Sequence, residues 1–163
     1  MQVCNEQSAK GKRGKDCMKI IFVCTGNTCR SPMAEYLLRD YCKKNNLDVE
    51  VCSRGLACSN GRPISENSYL ALKELGIDAS GHKSQSFIMR DLFEADLIVT
   101  MTNAHKNLLI QHFNAGDNVK TFADVSEVRD IIDPYGCDLN YYRACRDLIA
   151  EGVKGLVSYL NLI

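Results

Sequence analysis

Neither sign of charge prevails in this 163-residue chain, with 20 basic and 20 acidic residues, so no basic stripe for nucleic acid or cationic face for a membrane is expected. No apolar run approaches the roughly 18 residues of a membrane-spanning helix. The apolar core of an export signal is missing too: Met1 to Asp16 is polar, with Lys10, Lys12, Arg13 and Lys15 set among glycines. Internal repeats and low-complexity segments are absent. No Cys-x-x-Cys pair or Cys/His cluster has zinc spacing, so neither a metal nor a cofactor is expected.

What remains is a globular composition, 45% hydrophobic and 25% charged, long enough for one domain with a substantial core. Residues 1–17 read as a basic, disordered arm and residues 18–163 as a single domain. Nine cysteines are many for this length, but the odd count without an export signal reads as a reduced, cytoplasmic protein rather than a disulfide framework. Cys42, Cys52, Cys58, Cys137 and Cys145 read singly, as core or surface residues. The expected state is a monomer.

Apolar patterning orders the domain. Ile20-Ile21-Phe22-Val23 reads as a buried parallel strand, and beyond Ser31 and Pro32 a helical period begins with Met33, Ala34, Leu37, Leu38 and Tyr41. Ser31 is the expected N-cap and Pro32 the first helical residue. A short strand is expected over Val49–Ser53, a helix from Ile64 to Leu75 stopped by Gly76, and a short helix from a Ser86 cap to Glu94. Leu97–Met101 is a second apolar strand, followed by a helix to Phe113 and a short strand over Val119–Phe122. The last helix is expected from Asn140 to Leu160, with Tyr141, Cys145, Leu148, Ile149, Leu156 and Leu160 on its buried face. This alternation predicts an α/β fold, a three-layer α/β/α arrangement around a parallel sheet of about four strands. Ligands of such sheets bind beyond the carboxyl ends of the strands.

Cys24-Thr25-Gly26-Asn27-Thr28-Cys29-Arg30-Ser31 occupies that position after the first strand. A strand feeding a helix through a short loop aims backbone N–H groups and a helix N-terminus at one point, which suits an anion. The same groups, with Arg30, favour a thiolate at Cys24 over its protonated form, whose ordinary pKa is about 8.5. Arg30 can grip a phosphoryl group bidentately. Gly26 and Asn27 suit a loop that turns its N–H groups inward, and Ser31 can donate to the sulfur. A lone strand-end cysteine is also a common core residue. A nucleotide P-loop would instead end in Gly-Lys-Ser/Thr.

The run Val-Cys-Thr-Gly-Asn-Thr-Cys-Arg-Ser-Pro-Met-Ala-Glu resembles the phosphate loop of low-molecular-weight protein-tyrosine phosphatases, and Asp133-Pro134-Tyr135 resembles their general-acid loop. The similarity runs from Met18 to the end. It implies a phosphatase acting on phosphorylated protein side chains through a phosphocysteine at Cys24. Arg30 and the loop, Thr25 through Cys29 with Ser31, hold the phosphoryl group beside Tyr135. Asp133 serves as acid and then base, no metal being needed. Asn27, Ser53 and His82 resemble a supporting network, though His82 also reads as an exposed loop histidine and Asp133 as a turn-former before Pro134. Cys29 resembles the family's second cysteine, able to form a reversible disulfide with Cys24, or else a packed thiol.

Bacterial protein-arginine phosphatases of this family resemble the chain in the same loop. Tyrosine-directed members typically carry a bulkier aliphatic residue at the position of Thr25 and paired aromatics where this chain has Tyr135-Gly136. Phosphoarginine is therefore the expected substrate, with phosphotyrosine the alternative. A thiol-dependent arsenate reductase shares the loop but needs relay cysteines, and Ser80 to Ala95 has none; Cys137 and Cys145 are substitutes only if they come close. A silent phospho-binding module is the remaining possibility, with no reason to keep both Cys24 and Asp133.

Overall fold

The computed structural model describes residues 17–162; the arm expected over 1–17 lies outside the described residues except for its last position. Four strands, β1 (Met18–Cys24), β2 (Val49–Gly55), β3 (Leu97–Thr100) and β4 (Val119–Thr121), form one sheet in the order β2-β1-β3-β4, with all pairs parallel. The helices are α1 (Arg30–Lys44), α2 (Glu66–Lys73), α3 (Met89–Glu94), α4 (Asn103–Phe113), α5 (Phe122–Val125) and α6 (Leu139–Tyr159). The three-layer expectation is met. Successive residues of β1 point to opposite faces. Ile20, Phe22 and Cys24 join a core with α1, α2, α5 and α6, while Ile21 and Val23 join Leu109 of α4 and Phe87 on the other side. Burial on both faces explains why β1 is apolar without a break from Ile20 to Cys24 rather than alternating.

Several local expectations are corrected. α1 begins at Arg30 with Cys29 as N-cap, because the Ser31 hydroxyl is committed to Cys24 and Asn27 and not to the helix's own N–H groups. α2 is shorter than expected because Ser65 caps it by accepting the N–H of Ser68, and it ends at Lys73 before Gly76 takes φ 76°. Ser86 caps nothing: it lies beside Gly55 of β2 and donates its hydroxyl to the Cys58 carbonyl, so α3 starts only at Met89. β4 stops at Thr121 because Thr121 and Asp124 form a capping box that opens α5, a helix the periodicity missed. The buried face of α6 is rotated from the expected one. Tyr142, Cys145, Ile149, Val153 and Leu156 face the core, while Tyr141 and Leu148 are exposed, because the helix lays Gly152 directly against the Phe122 ring.

β1 is central, with β2 on one side and β3 on the other, so the chain leaves the sheet in opposite directions from its carboxyl end. The segment leading to Asp133 is brought to the same edge: the Ile131 N–H bonds the Met101 carbonyl just past β3, and the Met101 N–H bonds the Val23 carbonyl. This is the crevice at which open α/β sheets bind ligands.

Candidate active site

From Cys24 the chain curls around its own sulfur. Asn27 adopts φ 53°, a left-handed conformation that asparagine tolerates, and this turns its N–H toward Cys24 Sγ at 3.3 Å. Ser65, Thr102, Thr121 and Asp138 each cap the helix that follows them, but Cys29 makes no side-chain bond to α1. The first N–H groups of a 15-residue helix therefore stay available to an anion.

Behind the loop runs a hydrogen-bond chain whose direction is fixed by its ends. The Ser53 hydroxyl donates to Glu35 Oε1 at 2.7 Å, since a carboxylate only accepts. Asn27 Nδ2 donates to both Ser53 Oγ and Ser31 Oγ at 2.8 Å. Ser31 accepts from Asn27 and so keeps its own proton for a thiolate at Cys24, whose Sγ is 2.9 Å away. Asn27 Oδ1 accepts the Gln85 N–H, and the Asn27 carbonyl accepts Nε2–H of His82 at 2.7 Å. His82 is buried, not an exposed loop residue, and burial lowers its pKa from the ordinary value. Asn27 and Ser31 are likewise fully buried. They were expected among the substrate contacts, but they lie behind the cleft, because their side chains are spent on the sulfur and on the loop's backbone.

Arg30 bridges the two loops. Its side chain is buried, one nitrogen donates to the Ile131 carbonyl at 2.9 Å, and another lies 3.7 Å from Asp133 Oδ2. Asp133 is exposed, and its other oxygen accepts the Tyr135 N–H at 3.1 Å. The turn-forming geometry and the approach to Arg30 coexist on one carboxylate. Cys24, Thr25, Gly26, Thr28, Cys29, Arg30, Asp133 and Tyr135 line a cleft of about 630 Å³, so eight of the expected site residues converge. Ala57, Cys58, Ser59 and Arg62 complete its lining. Gly55 backs the loop so closely that an added Cβ would fall 2.8 Å from the Thr25 carbonyl oxygen.

Glu35 and His105 were not singled out in the sequence. Glu35 follows Ser31 by four residues, one helical turn, which is the signal that could have marked it. His105 sits in the first turn of α4 after the carboxyl end of β3; its Nε2 lies 2.9 Å from Thr25 Oγ1 and its Nδ1 2.9 Å from Thr102 Oγ1. Cys29 packs its sulfur against Ser65 Oγ and the Tyr142 hydroxyl.

The groups along the loop favour the Cys24 thiolate, but complete burial acts against them and is the larger influence, pushing the thiol up from its ordinary value, while the Ser31 hydroxyl, the N–H groups of Ser31 and Asn27, and the Arg30 charge pull it down. Ser31→Ala removes the first of the opposing groups. The Cys24 pKa is expected to rise further, so the alkylation rate by iodoacetamide at neutral pH falls and its pH midpoint moves upward. An unchanged midpoint contradicts the directed bond. For an arsenate relay, Cys145 is a poor candidate: burial pushes its thiol up to about 12.

A family model described as low molecular weight phosphotyrosine protein phosphatase matches residues 19–162. The chain is 39% identical over 147 residues to a protein-arginine-phosphatase of Geobacillus stearothermophilus, covering 88% of this chain and 96% of that one. It is also 39% identical over 127 residues to the low molecular weight protein-tyrosine-phosphatase PtpB of Staphylococcus haemolyticus, covering 77% and 88%. A cysteine-to-serine mutant of YwlE arginine phosphatase with a phosphorylated active site serine superposes with a TM-score of 0.84 at 35% identity, covering 88% of this chain and 96% of that one. A low molecular weight protein tyrosine phosphatase from T. tengcongensis gives 0.83 at 36% identity, covering 86% and 98%.

Proposed function

The chain belongs to the low molecular weight phosphotyrosine protein phosphatase family and is a cysteine-dependent protein phosphatase, and on that premise we propose that it removes phosphate from arginine side chains of proteins. The observation that carries this reading is the cleft wall: Thr25 and Thr28, small and polar, line it together with the single aromatic Tyr135, which is followed by Gly136. A threonine oxygen can accept a hydrogen bond from a guanidinium, which offers only donors, whereas an aliphatic wall suits a flat phenyl ring. The similarity to a protein-arginine-phosphatase is in keeping with this, and the equal identity to a tyrosine phosphatase keeps phosphotyrosine as the second reading.

In the proposed reaction the Cys24 thiolate attacks phosphorus, the P–N bond breaks, and Asp133 gives its proton to the leaving nitrogen. The phosphoryl oxygens rest on Arg30 and the loop N–H groups, whose fixed dipoles oppose the charge that develops. Asp133, now a carboxylate, takes a proton from water as the water oxygen bonds to phosphorus and the S–P bond breaks. Support for Cys24 comes from its position under the uncapped end of α1 and from the neighbour that carries phosphate on a serine at its active site. On this reading the protein is a cytoplasmic monomer that acts on phosphorylated proteins without nucleic acid, membrane, metal or cofactor, with residues 18–163 as a single phosphatase domain. No helix among the described residues is long and apolar enough to cross a membrane.

Peptides bearing phosphoarginine or phosphotyrosine in the same sequence test the reading. A higher kcat/KM is expected for phosphoarginine, with Thr25→Ile shifting the ratio toward phosphotyrosine. A much larger value for phosphotyrosine in the wild-type protein overturns the arginine assignment and leaves the phosphatase intact.

A further inference from the structure

Thr25 is the one exposed residue of the loop whose hydroxyl is already held, and the group holding it comes from a different strand-to-helix connection. His105 is buried, and its two ring nitrogens are both engaged, one by Thr25 and one by Thr102. Burial, together with the nearby charge of Arg30, brings its pKa down to about 4, so at neutral pH the ring has one N–H and one lone pair. In the tautomer with the proton on Nε2, Thr102 Oγ1, which caps α4 by accepting the His105 backbone N–H, donates its own proton to Nδ1, and Thr25 Oγ1 receives Nε2–H. Thr25 is left with a free proton and one free lone pair. Its backbone is fixed as well, since the Thr25 carbonyl accepts the Ala57 N–H at 3.0 Å.

We propose that His105 is a positioning residue for substrate selection: the Thr102–His105 pair orients the Thr25 hydroxyl so that it donates to a phosphoryl oxygen and accepts from a guanidinium N–H of the same substrate. This rests on the phosphoarginine reading and deepens it. A phosphoarginine presents the two groups side by side, oxygens on phosphorus and N–H groups on the adjoining guanidinium. A phosphotyrosine presents the oxygens but no donor beside them, so a fixed lone pair there has no partner. An unheld threonine could turn its hydroxyl away at little cost; a held one distinguishes the two substrates continuously.

The test is a double-mutant cycle of Thr25→Val and His105→Leu, with His105→Gln as the conservative variant, since a glutamine amide can restore a donor to Thr25. kcat and KM are measured separately for phosphoarginine peptide, phosphotyrosine peptide and p-nitrophenyl phosphate, and thermal midpoints check folding. His105→Leu and Thr25→Val are each expected to lower kcat/KM for phosphoarginine about tenfold relative to p-nitrophenyl phosphate. The double variant is expected to be no worse than either single one, and His105→Gln to recover most of the loss. Additive losses, an equal fall for all three substrates, or no recovery with glutamine in a folded protein overturns the proposal. Should His105→Leu fail to fold, His105→Gln against His105→Asn, whose shorter amide falls short of Thr25, gives the same decision: equal ratios overturn it. If the wild-type protein prefers phosphotyrosine, the substrate reading fails by itself, while non-additivity between positions 25 and 105 still reports whether His105 acts through Thr25.

Discussion

Cys24→Ser is expected to lower turnover of p-nitrophenyl phosphate by about 10⁴-fold or more, the scale seen when a covalent nucleophile is removed. The exchange is nearly isosteric at a fully buried position, so Arg30, the α1 N-terminus and the Asn27–Ser31 bonds keep their places and substrate binding persists. What changes is the nucleophile. The network that delivers the Ser31 proton 2.9 Å from the sulfur stabilises a thiolate, but it cannot bring a serine hydroxyl, with its far higher pKa, to the anion. A serine attacking even once forms a phosphate ester whose alkoxide is a poor leaving group, so the second half of the cycle stalls. Mass spectrometry after incubation with substrate is therefore expected to show one phosphoryl group retained on the Cys24→Ser protein and none on Cys24→Ala. Turnover within tenfold of wild type by a folded Cys24→Ser protein would remove Cys24 from the mechanism.

That the Cys24 loop and the Asp133 segment share one cleft was legible because each is a contiguous run of residues. Cys24 through Ser31 gives strand, loop and helix in sequence, and Asp133-Pro134-Tyr135 gives a turn that carries an exposed carboxylate. The sheet was legible for a similar reason: Ile20–Val23 and Leu97–Val99 are apolar because both faces of β1 and β3 are covered. What escaped depends on residues far apart in the chain. Thr25 and His105 are 80 positions apart and meet only because β1 and β3 are neighbours whose outgoing turns share one edge. The Ser31 cap failed because a local rule, hydroxyl to helix N–H, lost to a bond across the loop to Cys24. The face of α6 was misjudged because its register is set by the close approach of Gly152 to Phe122, a contact that apolar periodicity does not weigh. The direction of the Cys24 shift was missed for the same reason: neighbours along the loop can be read from sequence, whereas complete burial is a property of the folded core.

Asp133→Asn separates the turn that Asp133 makes from the proton transfer proposed for the same carboxylate. Asparagine keeps an oxygen to accept the Tyr135 N–H, so the turn before Pro134 is retained, while the negative charge opposite Arg30 and the transferable proton are lost. If Asp133 only forms the turn, the variant is close to wild type. As general acid and base, it is expected to contribute 10²–10⁴-fold in rate, so kcat for a protein substrate falls by about that factor. The loss should depend on the leaving group. p-Nitrophenolate departs with little help from a proton, so its first step is slowed least, whereas the nitrogen of phosphoarginine and the phenolate of tyrosine need protonation and are slowed most. With p-nitrophenyl phosphate the second step then becomes limiting, because water attacks the phosphocysteine without a base. A burst of p-nitrophenolate followed by a slow steady rate is the expected trace in rapid mixing. Asp133→Ala, which breaks the turn as well, is expected to raise KM in addition. Equal kcat values for Asp133→Asn and wild type on the phosphoprotein substrate would leave Asp133 as a structural residue alone.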